Sequence, residues 1–105
     1  MYEKLGFFIN GEWRTGSGKG EDVLNPANES VLAFLPHASQ KDLEDALESA
    51  QRGFKIWKNT PVQKRAAILQ KTADLIEERS EQIARIITLE QGKPLRESQG
   101  ELLRT

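Results

Sequence analysis

The chain has 105 residues, with 15 Lys and Arg against 16 Asp and Glu, 37% apolar residues and no cysteine. This near-neutral balance excludes the clustered basic footprint of a nucleic-acid partner, and no apolar run approaches the ~20 residues that cross a membrane. Lacking cysteine, the chain has no disulfides, thiolate metal ligands or cysteine nucleophiles, and with His37 as its single histidine a zinc site is hard to build.

The opening Met1–Asn10 has no basic region followed by an apolar stretch, so it does not read as a secretory leader. Five of the eight glycines but only eight of the 31 charged residues lie in residues 1–38, which read as short strands joined by turns. Phe7-Phe8-Ile9 and Glu12-Trp13-Arg14 flank Asn10-Gly11, a hairpin signal because both turn positions need positive φ. Thr15 to Gly20 reads as a flexible tip. Asp22-Val23-Leu24 and Val31 to Leu35 then bracket Asn25-Pro26-Ala27-Asn28-Glu29-Ser30, the turn of a second hairpin that Pro36 ends or edges.

Residues 39–105 are helical by pattern. Ser39 is the expected N-cap of a first helix, with Asp42 three residues on and Leu43, Ala46, Leu47, Ala50, Phe54 and Trp57 on one face. Thr60-Pro61-Val62-Gln63 predicts a second helix with Thr60 as N-cap, Pro61 as first helical residue and Gln63 completing a capping box. Its face runs through Val62, Ala66, Leu69, Ala73 and Ile76, broadened by Ala67, Ile68 and Leu75. Ser80 reads as the N-cap of a third helix carrying Ile83, Ile86 and Ile87, which Gly92 stops. Pro94 begins a fourth helix through Leu95, Leu102 and Leu103, and the chain is expected to end inside it. That ending suggests truncation, and with Ile68 and Leu75 pointing away from its main stripe the second helix is expected to want partners on two sides.

Few residues offer chemistry. Gly16-Ser17-Gly18-Lys19-Gly20 resembles a phosphate cradle, but the position five before the Gly-Lys pair is Trp13 and the position after Lys19 is Gly20, so a hairpin tip is favoured. His37 reads as a loop residue and Asn28-Glu29-Ser30 as a turn. Glu90 stands out: it falls three, four and seven residues after Ile87, Ile86 and Ile83, on the apolar stripe of the third helix. A carboxylate there is either solvated at the helix end and tied to Lys93, or a ligand for a cation or a clamp on a neighbouring loop.

Four segments in order carry a family resemblance: Phe8-Ile9-Asn10-Gly11-Glu12-Trp13, Asn25-Pro26-Ala27, Arg65-Ala66-Ala67-Ile68-Leu69 with Ala73 to Arg79, and Thr88-Leu89-Glu90-Gln91-Gly92-Lys93-Pro94-Leu95. Together they resemble the amino-terminal portion of the NAD(P)-dependent aldehyde dehydrogenase superfamily, and Leu89-Glu90-Gln91-Gly92-Lys93-Pro94 is most like the succinate-semialdehyde dehydrogenase branch. The resemblance implies an α/β parent fold. Residues 1–105 would be the N-terminal part of its Rossmann-like cofactor-binding domain, 1–38 as β-hairpins and 39–105 as helices, with the catalytic domain absent.

In the family a cysteine thiolate attacks the aldehyde, hydride passes to NAD or NADP, and a glutamate-activated water releases the acid. The matched region precedes those residues, so the resemblance implies no catalytic and no cofactor-binding residue here, and no cofactor bound by this chain alone. It further implies a monovalent cation near Leu24, through its carbonyl oxygen, and Glu90, where Glu replaces the more usual Asp. The helix from Pro94 resembles one bordering the substrate funnel. The implied partner is the remainder of a dehydrogenase subunit, in a cytoplasmic homo-oligomer without nucleic acid or membrane. The rival expectation is a free-standing interaction module, whose hairpins and helices form their own core and bind a partner through the broad apolar faces.

Overall fold

The computed structural model describes residues 5–16 and 18–103. It divides into two compact units, one of residues 1–23 and 31–60 and the other of residues 24–30 and 61–105.

The first unit is built on hairpins and one helix. Strands β1 (Phe7–Ile9) and β2 (Glu12–Arg14) pair antiparallel, with Phe7 opposite Arg14, Phe8 opposite Trp13 and Ile9 opposite Glu12. Asn10 and Gly11 turn the chain at φ 54° and 81°, the left-handed geometry the dipeptide predicts because its twist matches that of the strands. Strands β3 (Gly20–Leu24) and β4 (Val31–Pro36) form a second pair. Its ends close antiparallel, from the His37 N–H bond to the Lys19 carbonyl (2.9 Å) to the Asn25 N–H bond to the Ser30 carbonyl (2.9 Å). β3 starts two residues earlier than the sequence predicts, taking Gly20 out of the tip, while Ser17 lies outside the described residues. Pro36 is the last residue of β4, where a missing N–H costs the ladder least.

Helix α1 (Gln40–Asn59) begins with the expected capping box. The Ser39 hydroxyl accepts from the Asp42 N–H, and the Asp42 carboxylate accepts from the Ser39 N–H at 2.9 Å. The helix packs against β1, but not by its apolar face. Its half-buried residues are Asp42, Asp45, Ala46 and Ser49, whereas Leu43, Leu47, Ala50, Phe54 and Trp57 are exposed. At ~100° per residue the two rows lie about a third of a turn apart. A salt bridge decides which row faces the hairpin: Arg14 Nη1 of β2 donates to Asp45 Oδ2 at 2.6 Å.

The second unit holds three helices and the turn of residues 24–30. α2 (Val62–Glu78) and α3 (Ser80–Gln91) are joined by Arg79 alone. α4 (Leu95–Leu102) packs on α3, where Ala84 and Ser98 are fully buried and the hydroxyls of Thr88 and Ser98 share a hydrogen bond at 2.9 Å. Gly92 caps α3 in the left-handed conformation (φ 72°), as expected, and its N–H donates to the Thr88 carbonyl at 2.8 Å.

Two caps differ from the sequence reading. Thr60 closes α1 instead of opening α2: its N–H donates to the Trp57 carbonyl (3.0 Å) and its hydroxyl to the Ile56 carbonyl (2.9 Å), so it serves orphan acceptors behind it. Pro61 is then the N-cap, its carbonyl accepting from Lys64 and Arg65, and no side chain caps α2. Ser80 is the first residue of α3 and Arg79 its N-cap, because a one-residue junction has no room for an extended capping residue between helices. Pro94 likewise precedes the fourth helix as its N-cap. That helix ends at Leu102, and the last two residues lie outside those described.

Among the described residues only Ile9 and Ala84 are buried hydrophobics. The chain exposes 8479 Å². Two compact units of half its mass would expose about 7,200 Å² in all by the size scaling of folded proteins. Leu47, Phe54, Ile56 and Leu103 are among the large apolar side chains left more than three-fifths exposed.

Candidate functional site

The turn after Leu24 meets the end of α3, the helix that carries Glu90, within the second unit. Leu24 ends β3 and leads into a turn held from within: the Asn25 side chain accepts from the Ala27 N–H (2.9 Å), and Asn28 Oδ1 accepts from the Ser30 N–H (3.1 Å) and hydroxyl (2.7 Å). Glu29 takes the left-handed conformation (φ 59°) that lets the chain reverse. This is the turn the sequence predicts for Asn28-Glu29-Ser30. Its Pro26 ring rests on the end of α3, so that a β-carbon at Gly92 would come within 3.0 Å of Pro26 Cγ. Glu90 precedes that contact by two residues and Leu24 by two on the other strand of the corner.

Glu90 is exposed, while Ile83, Ile86 and Ile87 of the same stripe are half-buried, so the stripe reaches solvent at the helix end. Lys93 Nζ donates to Glu101 Oε2 at 2.6 Å across the α3–α4 corner. A main-chain carbonyl and a carboxylate are hard oxygen donors that suit an alkali cation, yet they fill only part of a coordination shell. Among the described residues no group of three or more His, Cys, Asp or Glu could hold a metal ion.

The other candidates resolve simply. His37 is exposed at the end of the second hairpin with Nε2 3.6 Å from Glu21 Oε1. Lys19 and Gly20 of the glycine-rich stretch run into a strand, so no helix N-terminus faces a phosphate there. The sequence reading missed a groove of about 820 Å³ in the second unit. It is lined by Leu69, Ala73 and Ile76 of α2, by Leu102 at the end of α4 with Leu103 after it, and by the side chains of Glu77 and Glu81. The broad apolar face of the second helix was the signal for it.

The sequence pattern defining the Aldehyde dehydrogenase family matches residues 13–105. The chain belongs to that family. Malonate-semialdehyde dehydrogenase of Halalkalibacterium halodurans is 45% identical over 103 residues, 97% of this chain and 21% of the relative. Malonate-semialdehyde dehydrogenase 2 of Geobacillus kaustophilus is 45% identical over 98 residues, 92% of this chain and 20% of the relative. This aldehyde dehydrogenase segment thus spans about a fifth of the length of the curated relatives it matches. Their names correct the branch read from Leu89 to Pro94: the similarity runs to malonate-semialdehyde rather than succinate-semialdehyde dehydrogenases.

Solved structures agree on the fold. The NADP-dependent glyceraldehyde-3-phosphate dehydrogenase of Bacillus halodurans, complexed with NADP, superposes with a TM-score of 0.91 at 34% identity over 98% of this chain and 22% of that one. A betaine aldehyde dehydrogenase of Staphylococcus aureus, complexed with NAD+, gives 0.83 at 32% identity over 90% and 20%. The two strand pairs and four helices are therefore those of a Rossmann-like aldehyde dehydrogenase, and relatives of this segment bind NAD or NADP. Among the described residues no helix is long and apolar enough to cross a membrane.

Proposed function

We propose that the chain is the N-terminal part of the cofactor-binding domain of an NAD(P)-dependent aldehyde dehydrogenase and is inactive by itself. The observation that carries this is the outward apolar row of α1, beside a family match covering nearly the whole chain. Leu47 is 72% exposed and Phe54 63%, in a helix whose polar flank is the side tied to its own hairpin. Such a row is built to be covered by the rest of a subunit.

The parent reaction oxidises an aldehyde to its acid. Bound NAD or NADP supplies the hydride acceptor, and a thiolate nucleophile comes from outside this cysteine-free chain. What these residues contribute is support: α1 and α2 offer apolar faces to the remaining domain, and the Thr88–Ser98 and Lys93–Glu101 contacts fix α4 on α3. The substrate reading is a short aldehyde that also bears a carboxylate, malonate semialdehyde on the names of the relatives, with succinate semialdehyde the alternative. The two differ by one methylene, which a pocket discriminates by about 10–200-fold.

In the complete subunit the Leu24 carbonyl and Glu90 carboxylate hold a monovalent cation. The complete enzyme is a cytoplasmic homo-oligomer. The test joins residues 1–105 to the remaining part of the Halalkalibacterium halodurans relative. That chimera should form NAD(P)H from malonate semialdehyde at a rate near the parent enzyme's, while the isolated chain forms none. Turnover by the isolated chain would sink the reading, as would a chimera that assembles and stays inactive. Glu90→Gln in the chimera should remove any gain in thermal midpoint on adding potassium chloride over a choline salt.

A further inference from the structure

Arg65 stands near the start of α2 among apolar neighbours. The residues that surround it on the helix surface, Val62 a turn before and Ile68 and Leu69 a turn after, are each more than half exposed. No acid lies in the first turn of the helix. Other arginines have a carboxylate at hand: Arg14 pairs with Asp45, and Arg52 and Arg85 pair with Glu48 and Glu81 one turn back in their own helices. Arg65 is half-buried, and its Nε is buried with no hydrogen-bond acceptor among the described residues. Such donors are rare in folded proteins, because each leaves water without regaining a hydrogen bond.

We propose that the remainder of the dehydrogenase subunit brings a carboxylate, the side chain of an Asp or Glu, to Arg65. The inference rests on the reading of the chain as part of a larger subunit, and it names the chemistry that meets α2 at this place. A surface laid over Val62, Ile68 and Leu69 covers Arg65 as well, since they enclose it on the helix. An apolar cover would strand the guanidinium charge, which is costly unless the charge is paired. A carboxylate accepts from Nε and one Nη side by side, the geometry that the planar guanidinium presents. A main-chain carbonyl would satisfy Nε and leave the charge uncompensated. The chain spans about a fifth of the length of its curated relatives, so most of a subunit is left to supply the acid.

Arg65→Met keeps an apolar stem and removes both the charge and the orphan donor, so its effect should differ between the isolated chain and the catalytic chimera. In the isolated chain, helicity followed by circular dichroism should be lost on heating at the same temperature or a higher one. In the chimera the variant strands the partner carboxylate, and thermal inactivation should be about tenfold faster or more. That penalty should shrink between about pH 7 and about pH 5, because a carboxyl that has taken up a proton no longer needs a cation. Arg65→Lys, which keeps the charge without the side-by-side donors, should fall between Met and the parent. An active parent chimera whose Met variant is inactivated no faster would overturn this proposal alone. So would an equal loss in the isolated chain, which marks a packing role, or a penalty indifferent to pH, which marks a carbonyl partner. A parent chimera that assembles and stays inactive would remove the broader reading and this proposal with it.

Discussion

Asp45 is held by two cations at once, Arg14 at 2.6 Å and Lys41 at 2.9 Å. The hydrogen bond from Arg14, then that from Lys41, keeps its carboxyl below the usual carboxylate range, and the bond from the Ser39 side chain does the same for Asp42. Both folded pKa values lie below the unfolded value. The stabilisation is therefore full above that unfolded value and is lost as pH falls through the folded one. The hairpin–α1 contact should thus be constant from neutral pH to about pH 5 and weaken at lower pH, read by the emission of Trp13, next to Arg14. Asp45→Asn should flatten most of that acid limb, and an acid limb unchanged in the variant would contradict the assignment. On α4, Ser98→Ala leaves the Thr88 hydroxyl without its buried partner and should cost about 1 kcal/mol, measured by urea denaturation.

Helix ends carry the next level of the argument. Ser39 and Gly92 were legible in the sequence because a capping box and a left-handed stop each need particular residues at fixed spacing. Ser39→Ala should destabilise α1 by about 1 kcal/mol. Gly92→Ala should cost about 1–2 kcal/mol for its left-handed backbone, and more for the Cβ contact with Pro26. Denaturant midpoints of both variants below that of the parent chain are the expected result. Thr60 and Ser80 were misread because both lie where one helix gives way to the next, and a hydroxyl there can serve the carbonyls behind it or the N–H groups ahead. The hydroxyl of Thr60 turned back to Ile56, so Thr60→Val should loosen the last turn of α1 and leave the start of α2 protected in hydrogen exchange.

At the scale of the whole molecule, the apolar faces outnumber the surfaces that cover them. If the chain is part of a larger subunit, it should unfold alone with a shallow denaturant dependence, because little apolar surface is buried to begin with. It should also bind a hydrophobic dye that the assembled chimera does not. A steep cooperative transition of a monomer would favour the free-standing module instead. The sequence by itself determined the order of strands and helices, the Asn10-Gly11 turn, the Gly92 stop and the family, since each rests on local spacing or on residues met in a fixed order. Placement of the α1 apolar row was decided only in three dimensions: helical periodicity marks which residues share a face, but the Arg14–Asp45 salt bridge, 31 residues apart, selects the polar flank to meet the hairpin. The corner joining the turn after Leu24 to the end of α3 at Glu90, and the groove between α2 and α4, likewise come from parts far apart in the chain, which no local pattern brings together.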